Sequence, residues 1–221
     1  MAKSEVLRIL DNPLVSRSSY TWRYSSSRLM DPENLSTHVY EVEMIGLMLI
    51  DGIKNKSEGK EDIDVSLFLW KALFHDADET VIGDIPRPLK YASEGIHTSL
   101  ESVAHSVASS LFEDTFSVQT PFVEEIYRDS KKGKEGKLVK LSDMLCVVKK
   151  SRVEIEKLGN LTFLDTILNL RSYVNSMDQD DFYSEFISSG AIEYLREIMN
   201  DVREYTYYME KKYLEGSDWV R

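Results

Sequence analysis

Apolar residues recur at spacings of three and four along most of the chain, which is the pattern of helices with one buried face. The first such helix is predicted to begin at Ser36, a suitable N-cap. Its buried face is predicted to hold four residues: Val39, Val42, Ile45 and Leu49. The stretch 64–77 is apolar on most sides and predicts a central helix. That helix must stop near Gly83 because Pro86 and Pro88 follow.

The same spacing continues in the second half of the chain. One helix is predicted by five apolar residues: Ile96, Leu100, Val103, Val107 and Leu111. The segment 129–137, which holds four lysines, is predicted to be a flexible, solvated loop. Later helices are predicted over four stretches: 138–158, 163–174, 182–187 and 191–214. Because no alternation of period two persists and no linker interrupts the pattern, we predict an all-α fold with residues 1–221 in a single domain.

Composition narrows the classes of function. The 221 residues are 42% hydrophobic and 10% aromatic, so a generally disordered chain is excluded. The net charge of −11 argues against capture of duplex nucleic acid, which needs clustered Lys and Arg. The longest apolar run, 44–50, is far shorter than the roughly 18 residues that span a bilayer, so no membrane partner is expected. One cysteine, Cys146, cannot form an internal disulfide, which predicts a cytoplasmic location.

Four side chains from three predicted helices stand out as candidate metal ligands: His38, His75, Asp76 and Asp143. His38 shares a helix face with Val42, and Asp143 also lies on an apolar face, so both are expected to be partly buried. A buried carboxylate is costly without a cation. Imidazole and carboxylate groups together suit a divalent transition metal. The alternative for any one of these residues is a core group satisfied by a hydrogen bond.

The sequence around these residues carries a family resemblance. Residues 74–91 read FHDADETVIGDIPRPLKY, residues 33–38 read ENLSTH, and residues 138–146 read LVKLSDMLC. Together with Arg23-Tyr24 upstream, these segments resemble the HD-domain signature, in particular that of the YfbR-like 5'-deoxynucleotidases, over about residues 16–150. The resemblance implies an HD-type helical bundle, with the helices of 160–215 in the same domain. It also implies one divalent ion, cobalt, manganese or zinc, bound by the four candidate ligands.

The resemblance further implies roles for five residues around the ion. Glu79 would position or deprotonate the attacking water, and Asp84 would orient the same water or help to protonate the leaving oxygen. Arg23 and Lys90 would neutralise phosphate charge. Tyr24 stands where the family has Trp against the sugar, so the preference for deoxyribose over ribose is left open. The sequence does not indicate which nucleobase the substrate carries.

The leading hypothesis is a metal-dependent enzyme, a homodimer, that removes the 5'-phosphate from (deoxy)nucleoside monophosphates. One alternative keeps the metal site but releases triphosphate from deoxynucleoside triphosphates, with lysines of 131–137 as cations for the longer chain. A second alternative is a nucleotide-binding HD protein without turnover. His97 and His105 are interpreted as surface or core histidines rather than a second metal site. The tyrosine-rich helix at the C-terminal end is interpreted as core or dimer packing.

Overall fold

The computed structural model describes residues 5–90 and 92–215, and their regular secondary structure is helical. The α-helices follow in this order: α1 (Glu5–Leu10), α2 (Pro13–Ser16), α3 (Leu35–Lys56), α4 (Val65–Phe74), α5 (Glu79–Ile82), α6 (Arg87–Lys90), α7 (Glu94–Thr115), α8 (Thr120–Arg128), α9 (Gly133–Ser151), α10 (Leu164–Met177), α11 (Asp180–Tyr183) and α12 (Ser189–Glu210). The π-helical turns Arg152–Lys157 and Lys211–Glu215 follow α9 and α12, and a 3-10 turn, Leu161–Phe163, precedes α10. The only β pairing of the described residues is an isolated bridge between Trp22 and Asn34. The all-α prediction is confirmed.

Helix starts follow from capping side chains. The Asn34 side chain accepts a hydrogen bond from the Thr37 N–H at 2.9 Å and begins α3. The predicted cap at Ser36 is therefore wrong, because Ser36 lies in the first turn and donates its hydroxyl to Asn34 Oδ1. Asp64 caps α4 in the same way. Helix α4 ends at Phe74, earlier than predicted, and the next four residues form a turn. Within the described ranges, no helix is both long enough and apolar enough to cross a membrane.

The main core lies between the long helices. Helix α3 packs along α9 and α4, and α12 packs against α3 and α10. The approach of α4 to α3 requires Gly46, because a Cβ atom there would overlap the ring of Phe68. Fully buried side chains from these helices fill the interior: Val42, Ile53, Phe68, Leu138, Leu141, Ile167, Leu195 and Met199. The C-terminal helices thus share a core with α3 and α9; the extent of the domain, 1–221, stays a prediction.

A smaller core lies between α4, α7 and α8. It contains six buried residues: Phe74, Ala77, Ala108, Phe112, Val123 and Ile126. The buried residues of α7 are Ala108, Leu111 and Phe112, near its C-terminal end. Ile96 and Val103, which were predicted to be buried, are exposed. Apolar spacing marks a face of a helix, but it does not say how far along the helix another element covers that face.

The start of α9 corrects the prediction of a loop over 129–137. Helix α9 begins at Gly133, so the connection from α8 spans only 129–132. Its lysines are not all solvated: Lys137 is buried and donates a hydrogen bond to the Asp181 carbonyl, and Lys134 Nζ lies 2.5 Å from Glu61 Oε1. Glycine and lysine made this turn of helix look like a loop, because tertiary contacts rather than intrinsic propensity stabilise it.

The loop before α3 is anchored by a buried carboxylate of the π-helical turn after α9. Glu154 Oε2 accepts hydrogen bonds from the Met30 N–H at 3.0 Å and from Asn160 Nδ2 at 2.6 Å, and Oε1 accepts from the Asp31 N–H at 2.8 Å. Lys150 Nζ lies 3.7 Å from the same carboxylate. Burial alone would raise the pKa of Glu154, but these donors lower it below its ordinary value. Both oxygens of this carboxylate are therefore satisfied.

Candidate metal centre

Two backbone segments pair at the ends of the loop before α3. The Arg23 N–H donates to the Glu33 carbonyl at 2.9 Å, and the Leu35 N–H donates to the Thr21 carbonyl at 2.8 Å. The Arg23 and Glu33 side chains also meet, with Arg23 Nε 3.6 Å from Glu33 Oε1. This pairing places the Arg23 guanidinium and the Glu33 carboxylate beside the first turn of α3.

His38 lies on the buried face of α3, one turn after its start, and its side chain is fully buried. Its Nδ1 lies 3.7 Å from Glu33 Oε1, and its Nε2 lies 3.3 Å from Asp143 Oδ1 and 3.7 Å from Asp76 Oδ2. Burial, helped by the charge of Arg23, lowers the pKa of His38. The neutral imidazole is thereby favoured, and this is the form that binds metals.

His75 and Asp76 follow directly after the last residue of α4. His75 Nδ1 donates a hydrogen bond to the Ala72 carbonyl at 2.7 Å, since a carbonyl can only accept. This bond leaves His75 Nε2 to face Asp76 Oδ2 at 3.1 Å. Burial opposes a charge on His75, but the carboxylate of Asp76 outweighs burial and raises the pKa of His75.

Donor atoms of His38, His75 and Asp76 all lie within 4.8 Å of one another. The Nε2 atoms of both histidines are buried and make no hydrogen bond. Unpartnered buried polar atoms are costly, and a cation would satisfy these atoms together with the carboxylate. Imidazole nitrogen and carboxylate oxygen are ligands that divalent transition metals accept. These three residues therefore fit a metal ion.

Asp143 contacts this group from α9. Its Oδ1 is 3.3 Å from His38 Nε2 and is itself buried without a hydrogen-bond partner, yet Asp143 lies outside the three-residue cluster. Burial would raise the pKa of Asp143, but His38 and Arg23 lower it well below its usual range. The position is compatible with a fourth ligand, and this role stays a prediction.

The Arg23 guanidinium lies among the carboxylates of the site. Its Nη1 is 2.9 Å from Asp76 Oδ2 and 3.5 Å from Glu79 Oε2, and its Nη2 is 3.7 Å from Asp143 Oδ1. Only 10% of this side chain is exposed. Arg23 therefore compensates buried negative charge in the structure, in addition to any contact that it makes with phosphate.

Glu79 is the first residue of α5 and is buried beside the cluster. Its Oε2 makes no hydrogen bond, and its Oε1 lies 3.7 Å from Nζ of Lys90. Burial and the negative charge of Asp76 raise the pKa of Glu79 to about 8. A carboxyl group that titrates near neutral pH can both take up and release a proton there, as acid–base catalysis requires.

Asp84 follows Gly83, whose φ of 77° is in the left-handed region. Asp84 Oδ2 accepts a hydrogen bond from the Tyr24 N–H at 2.6 Å, and its carbonyl accepts from Ser25 Oγ at 3.3 Å. Tyr24 has a φ of 55°, its ring packs edge-on against Phe163, and its buried hydroxyl makes no hydrogen bond. Asp84 thus anchors the loop that carries Arg23, whereas its part in catalysis and that of Tyr24 in sugar contact stay predictions.

Glu33 was missed as a functional candidate in the sequence, and Lys131 was considered only as one of the lysines of 131–137 that could meet a longer phosphate chain. Glu33 contacts both Arg23 and His38, and its place five residues before His38 in the ENLSTH segment was the available signal. Lys131 Nζ lies 3.9 Å from Asp76 Oδ1, although the residue belongs to a segment predicted to be solvated. No sequence pattern separates Lys131 from its lysine neighbours.

The two remaining histidines lie on α7. His97 Nδ1 is 3.6 Å from Glu101, and the His105 ring packs against Tyr127 at 5.3 Å between centroids. Neither belongs to a group of three or more close metal-ligating side chains in the part of the chain that the structure describes. Their interpretation as surface or core histidines stays a prediction.

A helical core that brings a histidine from one helix against a His-Asp pair at the end of another defines the HD-domain class. Solved structures share this fold. A crystal structure of an HD-domain phosphohydrolase from Listeria innocua matches with a TM-score of 0.69 and 22% identity, over 92% of this chain and 93% of that one. A protein from Pyrococcus horikoshii matches with a TM-score of 0.65 and 24% identity, over 90% and 98%.

Sequence comparison narrows the class to one family. The profile described as 5'-deoxynucleotidase YfbR-like matches residues 13–189, and the chain belongs to this family. Curated relatives named 5'-deoxynucleotidase YfbR, from Escherichia coli O1:K1 and O157:H7, are each 29% identical over 195 residues, which are 85% of this chain and 94% of theirs. The chain is a hydrolase of the HD-domain class, as the resemblance implied.

Proposed function

We propose that this protein removes the 5'-phosphate from (deoxy)nucleoside monophosphates, giving a nucleoside and phosphate, with a divalent ion bound by His38, His75, Asp76 and Asp143. The observation that carries the proposal is the pair of buried, unpartnered imidazole Nε2 atoms within reach of the Asp76 carboxylate. Membership of the YfbR-like family and its relatives named 5'-deoxynucleotidase support the substrate class. A bound ion would supply Lewis-acid activation of a phosphoryl oxygen and of water.

Glu79 is proposed as the group that orients the attacking water and accepts its proton. The carboxylate is buried one turn after His75, and its Oε2 is not committed to a hydrogen bond. Lys90 Nζ lies 3.7 Å from the other oxygen of Glu79. When Glu79 takes up a proton, Lys90 therefore loses its negatively charged partner. Burial and the negative charge of Asp76 favour the protonated form of Glu79 after it has accepted this proton.

The remaining predicted residues are assigned to positioning and to substrate contact. Arg23 is proposed to hold Asp76 and Glu79 in place and to face the phosphate with its remaining donor capacity. Lys90, which is 38% exposed, is proposed to contact phosphate from the solvent side. Asp84 is proposed to orient the attacking water or to help protonate the leaving oxygen, and Tyr24, whose backbone Asp84 fixes, is proposed to contact the sugar.

A screen of metals against substrates on the purified protein tests this proposal. Cobalt, manganese and zinc would each be combined with ribo- and deoxynucleoside monophosphates and with deoxynucleoside triphosphates, and both phosphate and triphosphate release would be measured. We expect phosphate from monophosphates with at least one of these metals. Triphosphate release without monophosphate hydrolysis would overturn the proposal in favour of a triphosphohydrolase. Nucleotide binding without turnover under any metal would overturn it in favour of a binding protein.

We also propose a cytoplasmic homodimer. The C-terminal helix α12 leaves Tyr207 and Tyr208 exposed, and exposed aromatic residues are favoured in interfaces between subunits. Light scattering after gel filtration should give twice the mass of the chain. A monomeric mass at micromolar concentration would contradict this proposal.

A further inference from the structure

A third cation lies beside the metal cluster. Lys131, in the connection between α8 and α9, places its Nζ 3.9 Å from Asp76 Oδ1, and about half of its side chain is exposed. The other oxygen of Asp76, Oδ2, faces His75 at 3.1 Å and Arg23 at 2.9 Å. Lys131 therefore approaches Asp76 at Oδ1, the oxygen that faces neither His75 nor Arg23. The residue is close to the cluster and accessible to a ligand at the same time.

The backbone that carries Lys131 is held in place. Lys71 Nζ donates a hydrogen bond to the Lys132 carbonyl at 2.7 Å, and the buried Ser130 donates its N–H to the Tyr127 carbonyl at 3.1 Å. The connection also packs closely on α9, because a Cβ atom at Gly136 would lie 2.6 Å from the Lys131 carbonyl carbon. Contacts on both sides of Lys131 thus fix its Cα, and only the side chain remains to adjust.

Of the other cations of the site, Arg23 is more heavily engaged than Lys131, whereas Lys90, like Lys131, faces one carboxylate. Arg23 is only 10% exposed and contacts Asp76, Glu79 and Asp143. Lys90 faces Glu79. A phosphate dianion that enters this acidic cluster needs compensating positive charge that it can reach from solvent. Lys131 offers that charge on the Asp76 side.

We propose that Lys131 is a substrate-binding residue that contacts the phosphate of the nucleotide. This inference rests on the proposed function for the identity of the substrate, but not for the phosphate contact itself. A charge-assisted hydrogen bond to phosphate contributes to binding in the ground state and in the transition state, so its loss should act mainly on KM.

The test compares Lys131→Gln and Lys131→Arg with Lys132→Gln. Lys132 is the matched control, because it is the next lysine of the same connection, is 70% exposed and pairs with Asp129 away from the cluster. For Lys131→Gln we expect a KM for nucleoside monophosphate raised by about tenfold or more, with kcat within about threefold of wild type. The Arg variant should recover most of this loss, and Lys132→Gln should match wild type.

Calorimetry with inorganic phosphate on the manganese-loaded protein provides a readout that does not require turnover. We expect Lys131→Gln to weaken phosphate binding by the same factor as it raises KM, with an unchanged melting temperature as the control for folding. Equal phosphate affinity of wild type and Lys131→Gln, or an equal loss in Lys132→Gln, would overturn the inference. If wild type hydrolyses no nucleotide but binds phosphate through Lys131, the proposed function fails and the inference stands. If wild type binds no phosphate, the inference fails.

Discussion

Two buried glutamates of this protein have opposite environments. Glu154 accepts three hydrogen bonds and faces Lys150, and its pKa is lowered. Glu79 keeps one oxygen without a hydrogen bond, and burial and Asp76 raise its pKa to about 8. Both side chains are almost completely excluded from solvent, so burial alone does not decide whether a carboxyl group is charged. Three hydrogen bonds make Glu154 an anchor. Glu79 has Arg23 and Lys90 only at 3.5 and 3.7 Å, which leaves it able to exchange a proton.

The largest effect is expected from loss of metal binding at the cluster beside Glu79. His75→Ala removes one of the three close donor side chains, so we expect loss of bound metal and of turnover together. Metal content after dialysis and phosphate release measure the two effects. His97→Ala on α7 serves as the control and should keep both. Stoichiometric metal in the His75 variant would contradict the assigned site.

The next largest effect concerns Glu79 itself. Glu79→Gln keeps the shape of the side chain but removes the proton acceptor, so turnover should fall by roughly 10²-fold or more while metal content stays the same. Rate measurements at saturating substrate, with metal analysis of the same samples, separate the two quantities. An undiminished rate would mean that the raised pKa of Glu79 has no part in the reaction.

Asp84 combines features of Glu154 and Glu79, because it anchors a loop through the Tyr24 N–H and also lies near the metal cluster. Asn at this position keeps an oxygen that can accept from the Tyr24 N–H, whereas Ala does not. If Asp84 acts as an anchor, Asp84→Ala should lower kcat/KM by roughly tenfold and Asp84→Asn by much less. Similar large losses in both variants would instead support an acid–base role.

The smallest effect on activity and the clearest effect on stability are expected for Glu154. In Glu154→Gln, one of the two oxygens becomes an NH2 group that faces a donor, either the Asp31 N–H or the Met30 N–H together with Asn160 Nδ2. This costs about 1–3 kcal/mol of unfolding free energy. Denaturant unfolding at several pH values measures this difference.

The sign of the pH dependence follows from the lowered pKa of Glu154. A carboxylate whose pKa is lower in the folded state stabilises the fold fully above its ordinary value of 4.5, and this stabilisation disappears as the pH falls through the folded value. The gap between wild type and Glu154→Gln should therefore be large at neutral pH and shrink below 4.5. A gap that is constant with pH would show that packing rather than charge is responsible.

The sequence predicted the long helices and the proximity of His38, His75 and Asp76, because apolar spacing and the HD signature can be read from the sequence. Asn34 and Ser36 are both capping residues, and only the observed bond to the Thr37 N–H distinguishes them. The extent of the buried face of α7 depends on which helices cover it. Lys131 lies beside Asp76 on a backbone that Lys71 and Gly136 contact, and such long-range contacts leave no periodic trace in the sequence.

The paired segments at the ends of the loop before α3 have a consequence for local opening of the structure. Arg23 and Glu33 are joined there by a backbone hydrogen bond, so a fluctuation that detaches one segment also displaces the other. Such a fluctuation withdraws one positive and one negative side chain together. The loss of Arg23 would also leave Asp76, Glu79 and Asp143 without the guanidinium that compensates their charge, so the integrity of the metal cluster depends on this pairing of backbone segments.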